Sequence, residues 1–320
     1  MELESNIYIK EKEIGSGSYA TVYLAKSTKE NKKYALKEIK MKEKEGIPYS
    51  AIIEIILLKE LEHPNILNIV DVLHGKKTIT LVLDYIESNL KKIILQNPEK
   101  GLSPSLLKNY LYQILKGIAY MHKKKILHRD IKPENILMTS NGVAKIADFG
   151  LSRDYGLMLN GYCSCVVTLQ YRSPELLLGS QYYGPEVDIW SVGCIFAEMA
   201  KGQVLFLGSD ENSQLDKIFR IRGTPTSDNY PEFNAFKKYS EEKRIIKNYP
   251  VDDIKNYVPN LDHNGLDLLN KMLQINPDNR ISAEDALLHP FFDDIDPIVF
   301  NIYQSSKYVE SSESDDFYDN

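Results

Sequence analysis

His128-Arg129-Asp130-Ile131-Lys132-Pro133-Glu134-Asn135, followed downstream by Asp148-Phe149-Gly150, decides how the rest of the 320-residue chain is read. The two stretches place a carboxylate, an ammonium, a carboxamide and a second carboxylate on one loop and the turn after the next strand. Each of these side chains alone is ordinary on a protein surface. In this order they are the groups that phosphoryl transfer requires. A carboxylate orients and accepts a hydroxyl proton, a lysine neutralises the moving phosphoryl group, and oxygen ligands take magnesium.

Working outward, residues 7–40 read as strands, with 27–32 as a polar turn. Between two strand patterns lies Gly15-Ser16-Gly17-Ser18-Tyr19-Ala20-Thr21-Val22. Its glycines let backbone approach a phosphate without side-chain collision. Alone the stretch reads equally as a hairpin turn, Ala20 stands where a third glycine would be, and a strand rather than a helix follows, which excludes a dinucleotide fingerprint. Lys37 sits on a strand within Tyr34-Ala35-Leu36-Lys37. Pro48 opens a helix through about Glu60, with Ser50 as its cap and His63-Pro64 ending it. That helix is apolar all round, so it is expected to be buried on more than one side, and Glu54 within it wants a cation. Lys37 is the natural partner, and the pair would hold a ligand's phosphates.

Residues 66–73 and 78–85 are strand-like; Pro104–Lys123, 187–199, 212–221 and 265–273 are helical. A strand-rich first quarter thus precedes a helix-rich remainder, an α+β arrangement of two lobes rather than a repeat array. The net charge of -6 argues against a chain held mainly on nucleic acid. Much of that charge lies in 303–320, where Lys307 faces five acids, Glu310, Glu313, Asp315, Asp316 and Asp319; this stretch reads as a disordered tail. Cys163, Cys165 and Cys194 cannot form a disulfide framework, so a reducing compartment is expected. No stretch reaches the ~18 uninterrupted apolar residues of a membrane span. An intracellular protein, in nucleus or cytoplasm, is the expectation.

Taken together these motifs resemble the eukaryotic protein kinases over nearly the whole chain. The resemblance extends to Ser173-Pro174-Glu175, where that family usually has Ala-Pro-Glu, to Asp188-Ile189-Trp190-Ser191 and to Arg280. In the family this Glu and Arg form a buried ion pair, which makes Glu175 and Arg280 structural. The resemblance implies a bilobal α+β fold with a kinase domain at about 8–292. Its β-rich N-lobe would span 1–83 with one regulatory helix, its hinge 84–90, its helical C-lobe 91–296, and an acidic tail 297–320. ATP would lie between the lobes beneath Ile14, Gly15, Ser16, Gly17, Ser18, Tyr19, Ala20, Thr21 and Val22. Its adenine would sit between Ala35 and Leu137 and bond backbone from Asp84 to Ile86, with Leu83 behind it. Lys37, fixed by Glu54, would hold the phosphates, and Asn135 and Asp148 would ligate Mg²⁺. Asp130 would orient a Ser or Thr hydroxyl, with Lys132 and Thr168 supporting the transfer.

The subfamily is also suggested. Glu45-Gly46-Ile47-Pro48-Tyr49-Ser50-Ala51-Ile52-Ile53-Glu54-Ile55 resembles the cyclin-binding helix of cyclin-dependent kinases, and Gly223-Thr224-Pro225 continues the match. This implies a cyclin partner contacting Ile52, Ile53 and Ile56, whose exposure on a lone chain would form a costly apolar patch. It implies Ser/Thr-Pro protein substrates, read by Val166, Val167 and Arg172, and a cell-cycle role of the division branch. Thr21 beside Ala20 echoes the transcription-linked branch instead. The chain departs from the family in three places: Cys163 replaces the activating threonine, Ile53 replaces a phosphate-binding helix arginine, and Gln170 replaces a tryptophan. Arg129 and Arg153 keep the other two phosphate-binding positions, and Ser164 is the alternative acceptor. Ser18 and Tyr19 fall where relatives carry inhibitory phosphates. A MAP-kinase-like enzyme would want Thr-x-Tyr where Gly161-Tyr162-Cys163 stands. A pseudokinase scaffold would want Lys37, Asp130 or Asp148 lost, and all three are present.

Overall fold

The computed structural model describes residues 7–17, 20–41, 46–155, 167–233, 235–236 and 247–295. Three antiparallel strands open the chain: β1 (Tyr8–Ser16), β2 (Ala20–Ser27) and β3 (Lys33–Lys40). The turn between β2 and β3 is the polar one expected: Ser27 Oγ accepts from Lys29 and Glu30 N–H, and Ser27 N–H donates to Lys32 O. Helix α1 (Tyr49–Glu60) follows, then β4 (Ile69–His74) and β5 (Thr78–Asp84). The five strands form one sheet in the order β1-β2-β3-β5-β4, so β3, which carries Lys37, lies at its centre. In register, Lys37 faces Val22 on one side and Leu81 on the other.

Two expectations for α1 are corrected. Ser50 does not cap it. Pro48 occupies the cap position, its carbonyl accepting from Ala51 and Ile52 N–H, and Ser50 falls inside the first turn. Pro48's carbonyl already accepts the first bonds of the helix, and that puts the start ahead of the serine. Nor is α1 buried on several sides. Ala51, Glu54, Leu57 and Leu58 share the core face, whereas Tyr49, Ile52 and Ile56 are exposed. The single acid therefore sits on the buried stripe and two isoleucines on the open one. Ile53 is half-buried and packs on the core, so the exposed apolar patch consists of Ile52 and Ile56 without it.

The remainder is mainly helical, which completes a bilobal α+β fold. After β6 (Ser88–Asn89) and the short α2 (Leu90–Ile94) comes α3 (Pro104–Lys123), which buries Leu107, Leu111, Ile114, Leu115, Ile118 and Met121. Its bounds match the sequence pattern because Pro104 starts it and apolar spacing sustains it. Short strands β7 (Ile126–Leu127), β8 (Ile136–Met138), β9 (Ala144–Ile146) and β10 (Arg153–Asp154) then hold the functional loops. β6 pairs with β8, β8 with β9, and β10 with β7. Helices α4 (Pro174–Leu177), α5 (Glu186–Lys201) and α6 (Glu211–Arg222) follow, with His263–Met272 and Ala283–Leu287 beyond. α5 is buried along nearly its full length around Trp190 and Phe196. One large core runs from α1 and β5 through α3 and α5 to Phe292. No helix among the described residues is long and apolar enough to cross a membrane.

The two halves are bolted together behind the cleft, and this shortens the expected strand 66–73. Residues 65–67 spend their backbone on β9: Ile146 N–H donates to Asn65 O (2.8 Å) and Leu67 N–H to Ile146 O (2.9 Å). The buried Asn65 side chain donates to Gln113 Oε1 and Ala144 O. Asn68 O accepts from Asp84 N–H, and the strand itself begins at Ile69.

Candidate active site

Lys37 is the centre of a charged cluster drawn from three parts of the chain. Its ammonium donates to both Glu54 carboxylate oxygens (2.7 and 2.8 Å) and to Asp148 Oδ1 (2.9 Å). The pairing inferred from an acid on a greasy helix is therefore made, seventeen residues away in sequence, with Asp148 added. Burial works to lower the Lys37 pKa, but the charges of Glu54 and Asp148 overcome it and hold the ammonium above its ordinary value. Burial pushes the Glu54 carboxyl up, Lys37 opposing. Burial also acts to raise Asp148, but Lys37's charge and hydrogen bond prevail and leave that carboxyl below its ordinary value. Glu54 is sealed, with 3% of its side chain exposed, whereas Asp148 is 49% exposed.

Asp130 anchors a second cluster. Its Oδ2 accepts from Lys132 Nζ (2.7 Å) and Asn135 Nδ2 (3.2 Å), and its Oδ1 accepts from Thr168 Oγ1 (2.8 Å) and Thr168 N–H (3.1 Å). Lys132 also donates to Thr168 Oγ1 (3.1 Å). Thr168, thirty-eight residues on, is thus brought to Asp130. Asn135 spends its Nδ2 on Asp130 O and Oδ2, leaving the amide oxygen as its ligand end. Asn135 and the half-exposed Asp148 together offer hard oxygen donors of the type Mg²⁺ takes alongside substrate phosphates.

The 128–135 loop and the turn after β9 both carry strained backbone. Arg129 and Asp148 adopt left-handed backbone, φ 68° and 67°. Fully buried Asp188 clamps the loop from α5, its two oxygens accepting from His128 and Arg129 N–H (both 2.9 Å) while His122 Nε2 sits 3.0 Å away. Burial would raise the Asp188 carboxyl, but His122 and these donors keep it below its ordinary value. In the sequence Asp188 stands out only because Asp188-Ile189-Trp190-Ser191 matches the family pattern, and that match gives it no role in the site. His128 Nε2 contacts Ala147 O (3.0 Å), linking this loop to the residue before Asp148. The Arg129 guanidinium reaches Leu151 O (2.7 Å) and Tyr183 Oη (3.0 Å), and that of Arg153 reaches Ser152 O (2.7 Å) and lies over the Tyr49 ring. Nothing in sequence pointed to Tyr183 or Tyr49.

The glycine stretch lies where expected, between β1 and β2, and Gly17 N–H donates to Ala20 O (2.9 Å). Among the described residues, a Cβ added at Gly15 or Gly17 would meet nothing closer than 3.9 Å, and neither residue has positive φ. The packing of the described residues therefore does not demand glycine there. Ile14 and Ser16 lie on β1, and Thr21 and Val22 on β2. Ala35 faces buried Leu83 in register, and Ala35 and Leu137 are both half-buried against the core. Asp84 ends β5, with Ile86 half-buried just beyond.

Past the cleft, Val167 has φ 69°, and its carbonyl accepts from Arg172 Nε (3.2 Å) and Nη2 (2.9 Å), while Arg172 Nη1 pairs with Glu211 (2.7 Å). Ser18, Tyr19, Cys163, Ser164, Cys165 and Val166 lie outside the described residues. Burial pushes the Cys194 thiol far up, so it is an inert core residue. Among the described residues no group of three or more His, Cys, Asp or Glu is placed to hold a metal ion. Compared with known families, residues 8–292 match the model of the protein kinase domain.

Proposed function

The chain belongs to the protein kinase family, and from that premise we propose that it is a cyclin-dependent serine/threonine kinase. It would transfer the ATP γ-phosphoryl group to Ser/Thr-Pro sites in proteins that control cell-cycle progression. Protein kinases use ATP with Mg²⁺, and the donor sets above fit both. The observation that carries the reading is the joined pair of clusters, Lys37–Glu54–Asp148 and Asp130–Lys132–Thr168.

In this account the lobes meet at a hinge of residues 84–90, whose backbone bonds the adenine between Ala35 and Leu137. Lys37, oriented by Glu54, binds the α- and β-phosphates. Asp148 and Asn135 would hold Mg²⁺, which when bound neutralises charge on the phosphates. Asp130 orients the substrate hydroxyl and takes its proton. Lys132, already 2.7 Å from Asp130, stabilises charge on the phosphoryl group in transit. Thr168 fixes the Asp130 rotamer by two hydrogen bonds to one oxygen.

Preference for proline after the acceptor has a physical basis at Val167. Its left-handed backbone is unusual for a β-branched residue, and Arg172 occupies its carbonyl. A residue after the acceptor that carries an N–H would lack that carbonyl as a partner; proline has no N–H to satisfy. An unsatisfied buried N–H costs about 1–3 kcal/mol, or roughly 5- to 150-fold in discrimination.

A cyclin would cover exposed Ile52 and Ile56 on α1. A second reading, a kinase active without cyclin, draws on the Lys37–Glu54 pair, which this chain's own residues make. The test is phosphorylation of matched Ser-Pro and Ser-Ala peptides by the purified chain, with and without a cyclin from the same organism. The proposal expects cyclin-stimulated transfer that favours Ser-Pro. Equal activity without cyclin supports the second reading, and no transfer under either condition rejects both.

A further inference from the structure

We propose that Tyr49 is a positioning residue: its ring holds the Arg153 guanidinium and thereby locks Glu54 and Asp148 together on Lys37. The Arg153 guanidinium carbon lies 5.0 Å from the Tyr49 ring centroid, within cation–π range. Two short lengths of backbone lead away from this contact. Tyr49 is the first residue of α1, and Glu54 projects from the same helix a turn and a half later. Arg153 begins β10, five residues after Asp148. Glu54 and Asp148 converge on one ammonium at 2.7 and 2.9 Å. The contact therefore closes a ring: Tyr49, Glu54, Lys37, Asp148, Arg153 and back to Tyr49.

The two sides of the ring are held differently. On one, Arg153 pairs with Leu127 and Asp154 with Ile126 on β7, which runs directly into the catalytic loop. α1 is held on its core face, while Tyr49, Ile52 and Ile56 are exposed. α1 has no acid in its first turn, and Tyr49 there presents its ring to the Arg153 guanidinium. Ile53, on the same turn, is half-buried and carries no charge. Without the Tyr49 contact, α1 could rotate out and draw Glu54 from Lys37. With it, helix position is coupled to the strand that follows Asp148 by residues of the folded chain alone. The catalytic consequence rests on the kinase reading; the mechanical coupling does not.

The test compares the full chain with Tyr49→Phe, Tyr49→Ala, Arg153→Met and the Tyr49→Ala/Arg153→Met double variant. Amide hydrogen exchange in residues 52–56 and 153–154 is read alongside peptide phosphorylation. Tyr49→Ala is expected to speed exchange in both segments by about 2- to 5-fold, the range an exposed cation–π contact supports. kcat should fall by a similar factor at unchanged peptide KM. Tyr49→Phe keeps the ring and should behave as the parent, and Tyr49→Ala should add nothing in the Arg153→Met background. The proposal is overturned if Tyr49→Phe and Tyr49→Ala act alike, if neither alters exchange, or if the alanine effect persists undiminished in the Arg153→Met background. A chain that phosphorylates no peptide counts against the functional reading, while exchange still decides the coupling.

Discussion

Two glutamate–cation pairs among the described residues differ sharply in character. Glu175 and Arg280 meet at 2.9 and 3.1 Å with 3% and 0% of their side chains exposed. Arg280 also donates to Gln274 O, Ile275 O and Glu186 O and lies over the Trp190 ring, so every nitrogen of the guanidinium has a protein partner. Lys37 and Glu54 are equally close, but Lys37 is shared with Asp148, whose carboxylate is half open to solvent. A buried pair whose hydrogen-bonding capacity is fully used holds a structure together. A buried pair linked to an accessible carboxylate is equipped to act on something else. Sequence distance does not separate the two cases; the open end does.

The comparison can be broken most forcefully at Arg280. Arg280→Ala leaves Glu175 buried without its cation and should cost about 3–5 kcal/mol of stability, seen as a large drop in Tm. If the variant melts with the parent and loses only activity, the two pairs are not different in kind.

A smaller and opposite pattern is expected at Glu54. Glu54→Gln removes a charged hydrogen-bond partner of Lys37 and should lower kcat by roughly 10- to 150-fold, from the ~1.5–3 kcal/mol of such a bond, with little change in Tm. The pH dependence sharpens this. Glu54 has a native pKa raised above 4.5, so on acidification the folded chain takes up this proton before the unfolded chain does. Glu54 therefore does not weaken folding in that window, yet activity falls as Lys37 loses a partner. Asp148 has its pKa depressed below 3.8, so its stabilising contribution is present above that value and is lost only at more acid pH. The acid limb of kcat should thus lie above 4.5, appear without a matching fall in Tm, and vanish in Glu54→Gln. An acid limb that tracks Tm would contradict the assignment.

The chemistry was far more legible in the sequence than the mechanics. Lys37, Glu54, Asp130, Asn135 and Asp148 could be grouped because phosphoryl transfer demands those functional groups, Thr168 joined them only through the family resemblance, and they assemble into two clusters, across separations as long as 111 residues. The β-rich start and α3 were legible because alternation and proline placement act locally. Ser50 misled because capping depends on which residue precedes the first turn, and that residue is Pro48. Ile53 packs on the core because a helix face is set by rotation about the helix axis, which an all-apolar stretch does not reveal. Asp188 and Tyr183 act through contacts to backbone and guanidinium that only the folded chain creates.

The most direct test is γ-phosphoryl transfer from Mg-ATP to a Ser-Pro peptide by the parent chain and by Asp130→Asn under the same conditions, with Tm measured on both. Asp130 accepts from Lys132, Asn135 and Thr168, and an amide of the same shape retains much of that network while losing the base. Near-equal Tm is expected, with a fall in transfer of about 10²- to 10⁴-fold. Undiminished transfer by Asp130→Asn would contradict the role of Asp130 as base.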